Sequence, residues 1–288
     1  MRIRFRHVLA FMLPAIAAVA FFAIYPLAYT GALSLQKFNL TSGAPAKFIG
    51  LGNYVRLFSD SQFMNSLKVT AIYTIWGVLA TMVLGVLLAL LLNSKGKLVG
   101  FLRAVSLVPM LICSMALSVA WALVYNTNFG ALNAILQALG LPTQNFLGTV
   151  KTALPSLIAI DVWQFTPYVM ILTLAGLKGI SPELYEAARI DGANQMQCFW
   201  KITIPSLRGV LVTTLVMRVI DTFKTFEKPL VLTNGGPAMS TDTINLHVFN
   251  TAFSSWDMGY GSAGSIVITL IIALFSAAFI RLSRKAEN

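Results

Sequence analysis

The sequence predicts an all-α polytopic membrane protein with six transmembrane helices. Apolar residues make up 57% of the 288-residue chain, charged residues only 11%, and the mean hydropathy is +0.76. A soluble domain carries about a quarter charged residues, so this chain could not cover a water-facing surface. The apolar residues are also gathered in runs of about 20, the length that crosses a bilayer core about 30 Å thick.

Six apolar runs are long enough to span the membrane. They are Val8–Leu35, Val69–Leu92, Ala104–Tyr125, Ala153–Leu177, Gly209–Leu232 and Ser262–Leu282. The first run follows several arginines, is too long for a signal peptide and lacks a small-residue cleavage site, so we expect it to be retained. Prolines inside the runs predict kinks, at Pro14, Pro26, Pro109 and Pro167.

The distribution of Lys and Arg predicts the orientation. Most of the 21 basic residues lie in the N-terminal tail, the loop after the second run, the loop after the fourth run and the C-terminal tail. Cytoplasmic loops are enriched in Lys and Arg, so both termini are predicted to be cytoplasmic. The net charge of +11 therefore indicates membrane topology and contact with lipid headgroups rather than nucleic acid.

Two ladders of small residues predict close helix packing. Small residues recur every four positions at Gly77, Thr81, Gly85 and Ala89, and again at Gly261, Ser265, Thr269, Ala273 and Ala277. Such ladders let helix backbones approach closely in lipid. They favour either packing within this chain or a contact with another subunit. Because no internal repeat or linker is evident, we expect one transmembrane domain over residues 1–288.

A polar loop of about residues 178–208 separates the fourth and fifth runs. Ser181 and Pro182 are typical of a helix start, and Asp191-Gly192 is typical of a helix stop. A second short helix, roughly Ala193–Lys201, is expected before Pro205. Ala187 and Ala188 carry small side chains, so the first helix could lie flush against a soluble partner. The alternative is an interfacial amphipathic helix.

The fifth run contains charges that are unusual at membrane depth: Arg218, Asp221, Lys224, Glu227 and Lys228. Each costs a few kcal/mol or more in the bilayer, so we expect them to face a cavity or to pair internally. Spacings of three and four predict the neighbours Arg218–Asp221, Asp221–Lys224 and Lys224–Lys228. On a helical wheel Phe223 and Phe226 lie on the other half of the helix. The charges form either a self-neutralising ladder or a polar wall of a translocation path.

The polar loop resembles the cytoplasmic signature of importer permeases of the ATP-binding-cassette (ABC) superfamily. That pattern is Glu-Ala-Ala, three residues, Gly, nine residues, then Ile-x-Leu-Pro. It is matched at Glu186, Ala187, Ala188, Gly192, Ile202 and Pro205, with Asp191 beside the glycine and Ile204 in place of the leucine.

Further segments look like the first-permease branch of the carbohydrate importers. They are Phe48-Ile-Gly50-Leu-Gly-Asn53-Tyr54, Pro109 with Trp121, Gly130-Ala-Leu132-Asn133, and Leu232-Thr-Asn-Gly-Gly-Pro237. Their order along the chain strengthens the resemblance.

The resemblance implies an ABC importer permease fold whose loop forms a coupling helix on an ATP-binding subunit. It further implies a second homologous permease, two copies of that subunit carrying ATP and Mg, an extracytoplasmic solute-binding protein, and a bacterial inner membrane. No Gly-x-x-x-x-Gly-Lys-Ser/Thr occurs in this chain, so we expect another polypeptide to supply the energy.

The resemblance also implies a solute path along the fifth span. Aromatic residues Phe223 and Phe226 would stack on a sugar, and Arg218, Asp221, Lys224 and Glu227 would bind its hydroxyls. Three cations against two carboxylates in this span favour an anionic sugar. Asp161 in the fourth span either lines the path or caps a kink near Pro167.

Two other functional classes are open. Asp161 and Asp221 could form the carboxylate pair of an intramembrane enzyme, or carry protons in a secondary transporter. Neither reading has a supporting motif, so we expect a permease rather than an enzyme. His7 and His247 are solitary, which predicts no metal site, and Cys113 and Cys198 are not expected to pair.

Overall fold

A computed structural model describes residues 12–14 and 16–287, and most of these residues are helical. The α-helices are Tyr25–Ser34, Gly52–Ser59, Ser61–Leu91, Lys97–Leu111, Ser114–Val124, Ala131–Ala138, Val150–Lys178, Pro182–Ile190, Gln195–Cys198, Ile204–Phe223, Glu227–Leu232, Ile244–Phe249 and Met258–Glu287. Wider π-helical turns occur at Ala20–Ile24, Phe199–Thr203 and Asn250–Ser254. The strands Gln36–Lys37 and Lys47–Phe48 form a short antiparallel ribbon.

The described chain contains five helical segments long and apolar enough to cross a membrane, or six when one bent pair counts as a span. We name them the first to sixth spans: Met12–Ser34, Ser61–Leu91, Lys97–Leu111 with Ser114–Val124, Val150–Lys178, Gln195–Leu232 and Met258–Phe279. The prediction of a six-span helical protein is confirmed. The start of the first predicted run and its arginines lie outside the described residues.

The third span is broken rather than continuous. Its two helices meet at Ile112–Cys113 with a bend of 97°, three residues after Pro109. The buried Gln164 side chain of the fourth span donates to the Ile112 carbonyl at 3.1 Å and lies 3.4 Å from the Ser114 hydroxyl. A carbonyl that the bend deprives of a helical partner is thus satisfied, which allows the break at membrane depth. Pro167, by contrast, lies inside a continuous helix.

The fifth span also differs from a single straight helix. Its main helix ends at Phe223, and a short helix, Glu227–Leu232, follows after a three-residue break. The side chain of Asn245 donates to the Phe223 carbonyl at 2.9 Å, and that of Thr243 donates to the Thr225 carbonyl at 3.2 Å. The prediction that residues 218–228 lie on one continuous helix is therefore correct only as far as Phe223.

The described residues form two compact units, and the first comprises those up to Met64 together with His247–Ile271. It holds the ribbon, the linking helix Gly52–Ser59 and the start of the sixth span. In this unit, Cβ atoms added to Gly261 and Gly264 would collide with Ala252 and Val248, so these glycines permit close packing.

The second unit comprises Asn65–Leu246 and the residues from Ile272 onward. Here the second-span ladder is buried throughout, and a Cβ on Gly85 would overlap Val169 of the fourth span. The helices continue this contact in a core cluster that includes Ala89, Met170 and Leu207. This ladder therefore packs within the chain. In the sixth-span ladder, Thr269, Ala273 and Ala277 are exposed.

Candidate functional site

A buried ion cluster joins the fourth and fifth spans. The Asp161 carboxylate accepts a hydrogen bond from Arg218 Nη2 at 2.7 Å and another from Lys228 Nζ at 2.6 Å. These three side chains are 1–3% exposed. Burial of isolated charges would cost several kcal/mol each, and this direct pairing offsets that cost.

The position of the cluster depends on both helix packing and the break in the fifth span. Arg218 comes from the main helix, whereas Lys228 lies on the short helix after the break. Gly77 of the second span faces the cluster, since a Cβ there would lie 3.5 Å from Asp161 Oδ2. The predicted neighbours Lys224 and Lys228 do not share one helix: Lys224 caps the main helix, whereas Lys228 lies on the short helix and pairs with Asp161.

A pocket of about 330 Å³ lies beside this cluster. Its lining residues are Phe165, Tyr168, Met217, Arg218, Ile220, Asp221 and Lys224. Arg218 Nη1 donates to Asp221 Oδ2 at 2.8 Å, which confirms the predicted i, i+3 pair. The Asp221 side chain is 57% exposed, so the carboxylate both holds the arginine and faces the pocket.

Phe165 supplies an aromatic wall that two cations stabilise. The Arg218 guanidinium carbon lies 4.4 Å from the ring centroid and Lys228 Nζ lies 4.7 Å from it. Cations near an aromatic face are attracted by the ring quadrupole, so the ring orientation is coupled to the ion cluster. The pocket thus combines aromatic and apolar walls with a carboxylate and the exposed Lys224 ammonium.

The structure gathers only some of the residues predicted from sequence. Arg218, Asp221 and Lys224 line the pocket; Phe223, Phe226 and Glu227 do not, and Asp161 lies behind its wall. Phe165 and Tyr168 also line the pocket, although the sequence analysis did not predict them there. They follow Asp161 by four and seven residues, so the spacing that places them on one helix face was readable in the sequence.

The charges around the pocket balance. Residues 218–228 by themselves carry three cations and two carboxylates, but Asp161 contacts two of those cations. Including Asp161 gives three charges of each sign. The charges beside the pocket therefore do not favour an anionic sugar over a neutral one. Among the described residues, no group of three His, Cys, Asp or Glu side chains is arranged to hold a metal ion.

The polar loop forms a second site. Its helix Pro182–Ile190 begins with Pro182 at its first turn and ends in Gly192 at φ +80°. The Ala193 N–H donates to the Ala188 carbonyl at 2.8 Å and the Gly192 N–H donates to the Arg189 carbonyl at 3.1 Å. This is a Schellman ending, which requires the left-handed glycine. The Ser181 hydroxyl makes no capping bond, because the first turn is open to water.

The second part of the loop differs from the prediction. Asn194 and Gln197 form a reciprocal capping box that starts a helix at Gln195, and this helix continues into the helix Ile204–Phe223 through the π-turn Phe199–Thr203. Pro205 explains the π-turn: its nitrogen cannot donate, and a wider turn before it accommodates the lost bond. No separate short helix ends at Lys201.

The surface of the loop is apolar for a segment that separates two spans. Leu184, Ile190, Met196 and Trp200 are all at least half exposed, and Ile190 is 87% exposed. Glu186, Ala187, Asp191, Gly192 and Pro205 are exposed as well. The two parts are held together where the Tyr185 hydroxyl meets the Thr203 hydroxyl at 2.9 Å.

A cleft of about 390 Å³ opens between the two parts of the loop. It is lined by Ala188, Asp191, Gly192, Ala193, Gln197, Cys198, Lys201 and Ile202. Four of the residues predicted to couple to a partner, Ala188, Asp191, Gly192 and Ile202, thus share one concave surface. Exposed apolar groups beside a cleft are the features of a protein-docking surface.

The chain is similar to known transport proteins. Residues 81–287 match the family described as "Binding-protein-dependent transport system inner membrane component". The trehalose/maltose transport system permease protein MalF of Thermococcus litoralis is 37% identical over 95% of this chain and 92% of that protein. The sulfoquinovosyl glycerol transport system permease protein SmoG of Agrobacterium fabrum is 31% identical over 95% of this chain and 89% of that protein.

One solved structure shares the fold closely. A chain of the bacterial alginate ABC transporter, determined with an alginate pentasaccharide-bound periplasmic protein, superposes with a TM-score of 0.86. The alignment covers 98% of this chain and 95% of that chain at 22% identity.

Proposed function

This chain belongs to the family of binding-protein-dependent transport system inner membrane components, and we propose on that premise that it is a permease subunit of a bacterial sugar importer. Two observations support a sugar or sugar derivative. Relatives over nearly the whole chain are named for trehalose/maltose and sulfoquinovosyl glycerol transport. The pocket also pairs aromatic walls with a carboxylate, a combination suited to the apolar faces and hydroxyl groups of a sugar.

The proposed complex contains a second homologous permease, two copies of an ATP-binding subunit and an extracytoplasmic solute-binding protein. ATP and Mg would bind to the ATP-binding subunits, and this chain would carry no catalytic residue. The polar loop would lie on the cytoplasmic face of the inner membrane, where both termini are also expected.

The exposed two-part loop is the observation that carries the coupling proposal. Its apolar side chains and the cleft beside Gly192 provide a surface for an ATP-binding subunit. Because the second part of the loop continues without interruption into the helix Ile204–Phe223, a displacement at the loop reaches the helix that carries Arg218 and Asp221. ATP binding in the partner would thereby alternate the access of the pocket.

A valine at Gly192 tests the coupling. Valine is strained at φ +80° whatever the space around it, so Gly192→Val should distort the Schellman ending. Strain of about 1.4 kcal/mol at the docking surface weakens binding about tenfold. We expect the ATP-binding subunit to co-purify poorly and uptake to fall, with an unchanged amount of this chain in the membrane.

Gly209→Val is the matched control. Gly209 lies in the adjoining helix with no atom within 4 Å of an added Cβ, and its φ is not positive. Normal uptake and normal recovery of the ATP-binding subunit in Gly192→Val would overturn the coupling role of the loop.

A further inference from the structure

The segment Phe48–Tyr54, which the sequence singled out, is fastened to the end of the first span. The Asn53 amide donates to the Ser34 carbonyl and to the Gln36 carbonyl, both at 2.8 Å. The Tyr54 hydroxyl meets the Ser34 hydroxyl at 2.8 Å. The last carbonyls of a helix lack helical partners. Asn53 satisfies one of these, the Ser34 carbonyl, and the linking helix Gly52–Ser59 is thereby held at the exit of the first span.

The other end of the linking helix is fixed by the second span. Asp60 is the one residue between Ser59 and the start of that span at Ser61. Its carboxylate accepts the Gln62 N–H at 2.8 Å within the first turn of the second span. The linking helix is about 12 Å long at 1.5 Å per residue. Because Asn53 ties the beginning of this short helix to the exit of the first span, the helix lies near the membrane surface that the first span leaves.

The linking helix turns an apolar stripe outward. Leu51, Val55 and Phe58, spaced as one helix face, are 67%, 67% and 58% exposed. Asn53 and Leu57 on the opposite face are buried. An apolar face at this depth, on a helix that is polar or packed elsewhere, is the pattern of a helix lying in the bilayer interface.

The adjoining ribbon carries two lysines that could bind anionic lipid headgroups. Lys37 and Lys47 are paired in register across the two strands, and both are exposed. Like charges placed directly opposite each other repel, and lipid phosphates beside this pair would relieve that repulsion. The ribbon begins two residues after Ser34, which puts the lysines near the phosphates of the same membrane surface.

We propose that the linking helix Gly52–Ser59 is an interfacial membrane anchor. Its Leu51, Val55 and Phe58 face lies against the acyl-chain boundary, and Lys37 and Lys47 contact anionic lipid headgroups. The bilayer is the partner that both features fit, since each lies beside a point where the chain enters or leaves the membrane. The anchor fixes the height of the first two spans and does not depend on which solute is carried.

Spin-label accessibility tests this placement. Cys113 and Cys198 are first replaced by serine, and a nitroxide is attached at Val55→Cys or at Phe58→Cys in the complex as it purifies. The complex is placed in vesicles of phosphatidylethanolamine and phosphatidylglycerol. Collision rates with oxygen, which concentrates in lipid, and with a water-soluble nickel chelate are measured. Ser42→Cys in the exposed loop is the water control, and Leu87→Cys on the exposed surface of the second span is the lipid control.

We expect labels at residues 55 and 58 to collide with oxygen several-fold more often than with the nickel chelate, as at residue 87, and the ratio to reverse at residue 42. Nickel collisions at residue 55 equal to those at residue 42 would place the face in water and overturn the proposal. Low collision rates with both reagents would also overturn it, because another protein would then cover the face. Two labelled positions keep the test valid if one variant assembles poorly.

Discussion

The Asp161 carboxylate holds two cations that come from opposite sides of a helix break. Arg218 has a second partner in Asp221, whereas Lys228 has Asp161 as its ion-pair partner among the described residues. The three residues are therefore not equivalent. Loss of the carboxylate leaves Lys228 without a counter-charge, while loss of Lys228 leaves an intact Arg218–Asp161 pair.

Asp161→Asn should be strongly destabilising. Removing one member of a buried ion pair costs roughly 3–5 kcal/mol, because the remaining charge is uncompensated. Lys228→Met should cost less. The double variant Asp161→Asn/Lys228→Met should recover part of the loss, since Arg218 keeps Asp221. Thermal unfolding of the purified complex in detergent would measure this order. Additive losses in the double variant would contradict the shared-carboxylate arrangement.

Asp60 provides a pH-dependent contribution at the start of the second span. Partial burial raises the pKa of its carboxyl, but the Tyr260 hydroxyl at 2.6 Å, the Gln62 N–H and the nearby His247 outweigh burial, and the pKa lies below its usual value. A depressed pKa means that the ionised form stabilises the fold above the ordinary value near 3.8. That stabilisation is lost as the pH falls through the folded-state pKa.

Asp60→Asn should therefore lower the unfolding temperature at pH 7. The difference from the unchanged protein should shrink as the pH falls below about 4, where the carboxyl becomes protonated first in the unfolded state and then, at lower pH, in the folded state. Unfolding scans across pH would show this. A constant difference at all pH values would mean that the charge of Asp60 is not responsible.

At the scale of elements, the contact between the second and fourth spans depends on the absence of a side chain at Gly85. A Cβ on Gly85 would lie 2.6 Å from Val169 Cγ1 and 3.1 Å from the Thr166 carbonyl oxygen. Neither distance is tolerated without movement of the fourth span. That span also carries Asp161 and Phe165, so the packing at Gly85 and the geometry of the pocket are linked.

Gly85→Val should separate the two spans at a cost of about 1–3 kcal/mol, as for overpacked cores. Gly100→Val is the control, because Gly100 is exposed on the third span with no atom near an added Cβ. The unfolding temperature should fall for the first variant and change little for the second. An equal effect of both substitutions would refute the close approach.

At the scale of the whole molecule, the chain carries two sites with different tasks. The pocket at Arg218 and Asp221 is proposed to bind the solute, and the loop around Ile190 is proposed to bind the ATP-binding subunit. The two proposals can be separated experimentally, since each site has an exposed residue that is not required for the packing of the other.

Asp221→Ala should reduce uptake several-fold while the ATP-binding subunit still co-purifies, because the pocket loses its exposed carboxylate. Ile190→Asp should instead release the ATP-binding subunit during purification, because a charge replaces the most exposed apolar group of the loop. Thr213→Ala, on an exposed position of the same helix as Asp221, should change neither property. Uptake unaffected by Asp221→Ala would leave the ion cluster with a structural role alone.

Much of this fold was predictable from local patterns. Runs of apolar residues predicted the spans, Asp191-Gly192 predicted the loop-helix ending, and the Arg218–Asp221 spacing predicted an ion pair. All three features depend on residues that lie close together in the sequence. The break in the fifth span was not predictable in this way, because its free carbonyls are satisfied by Thr243 and Asn245, about 20 residues away.

The sequence by itself determined the membrane class, the family resemblance and the two regions where charge or polarity has a use, since hydrophobic length and short motifs are local properties. The tertiary structure alone decided which charges meet. Asp161 and Lys228 are 67 residues apart, and only helix packing around Gly77 together with the break after Phe223 brings them to 2.6 Å. In a bilayer a charge needs its partner within hydrogen-bond reach, so that pairing is fixed by three-dimensional packing rather than by spacing along the chain.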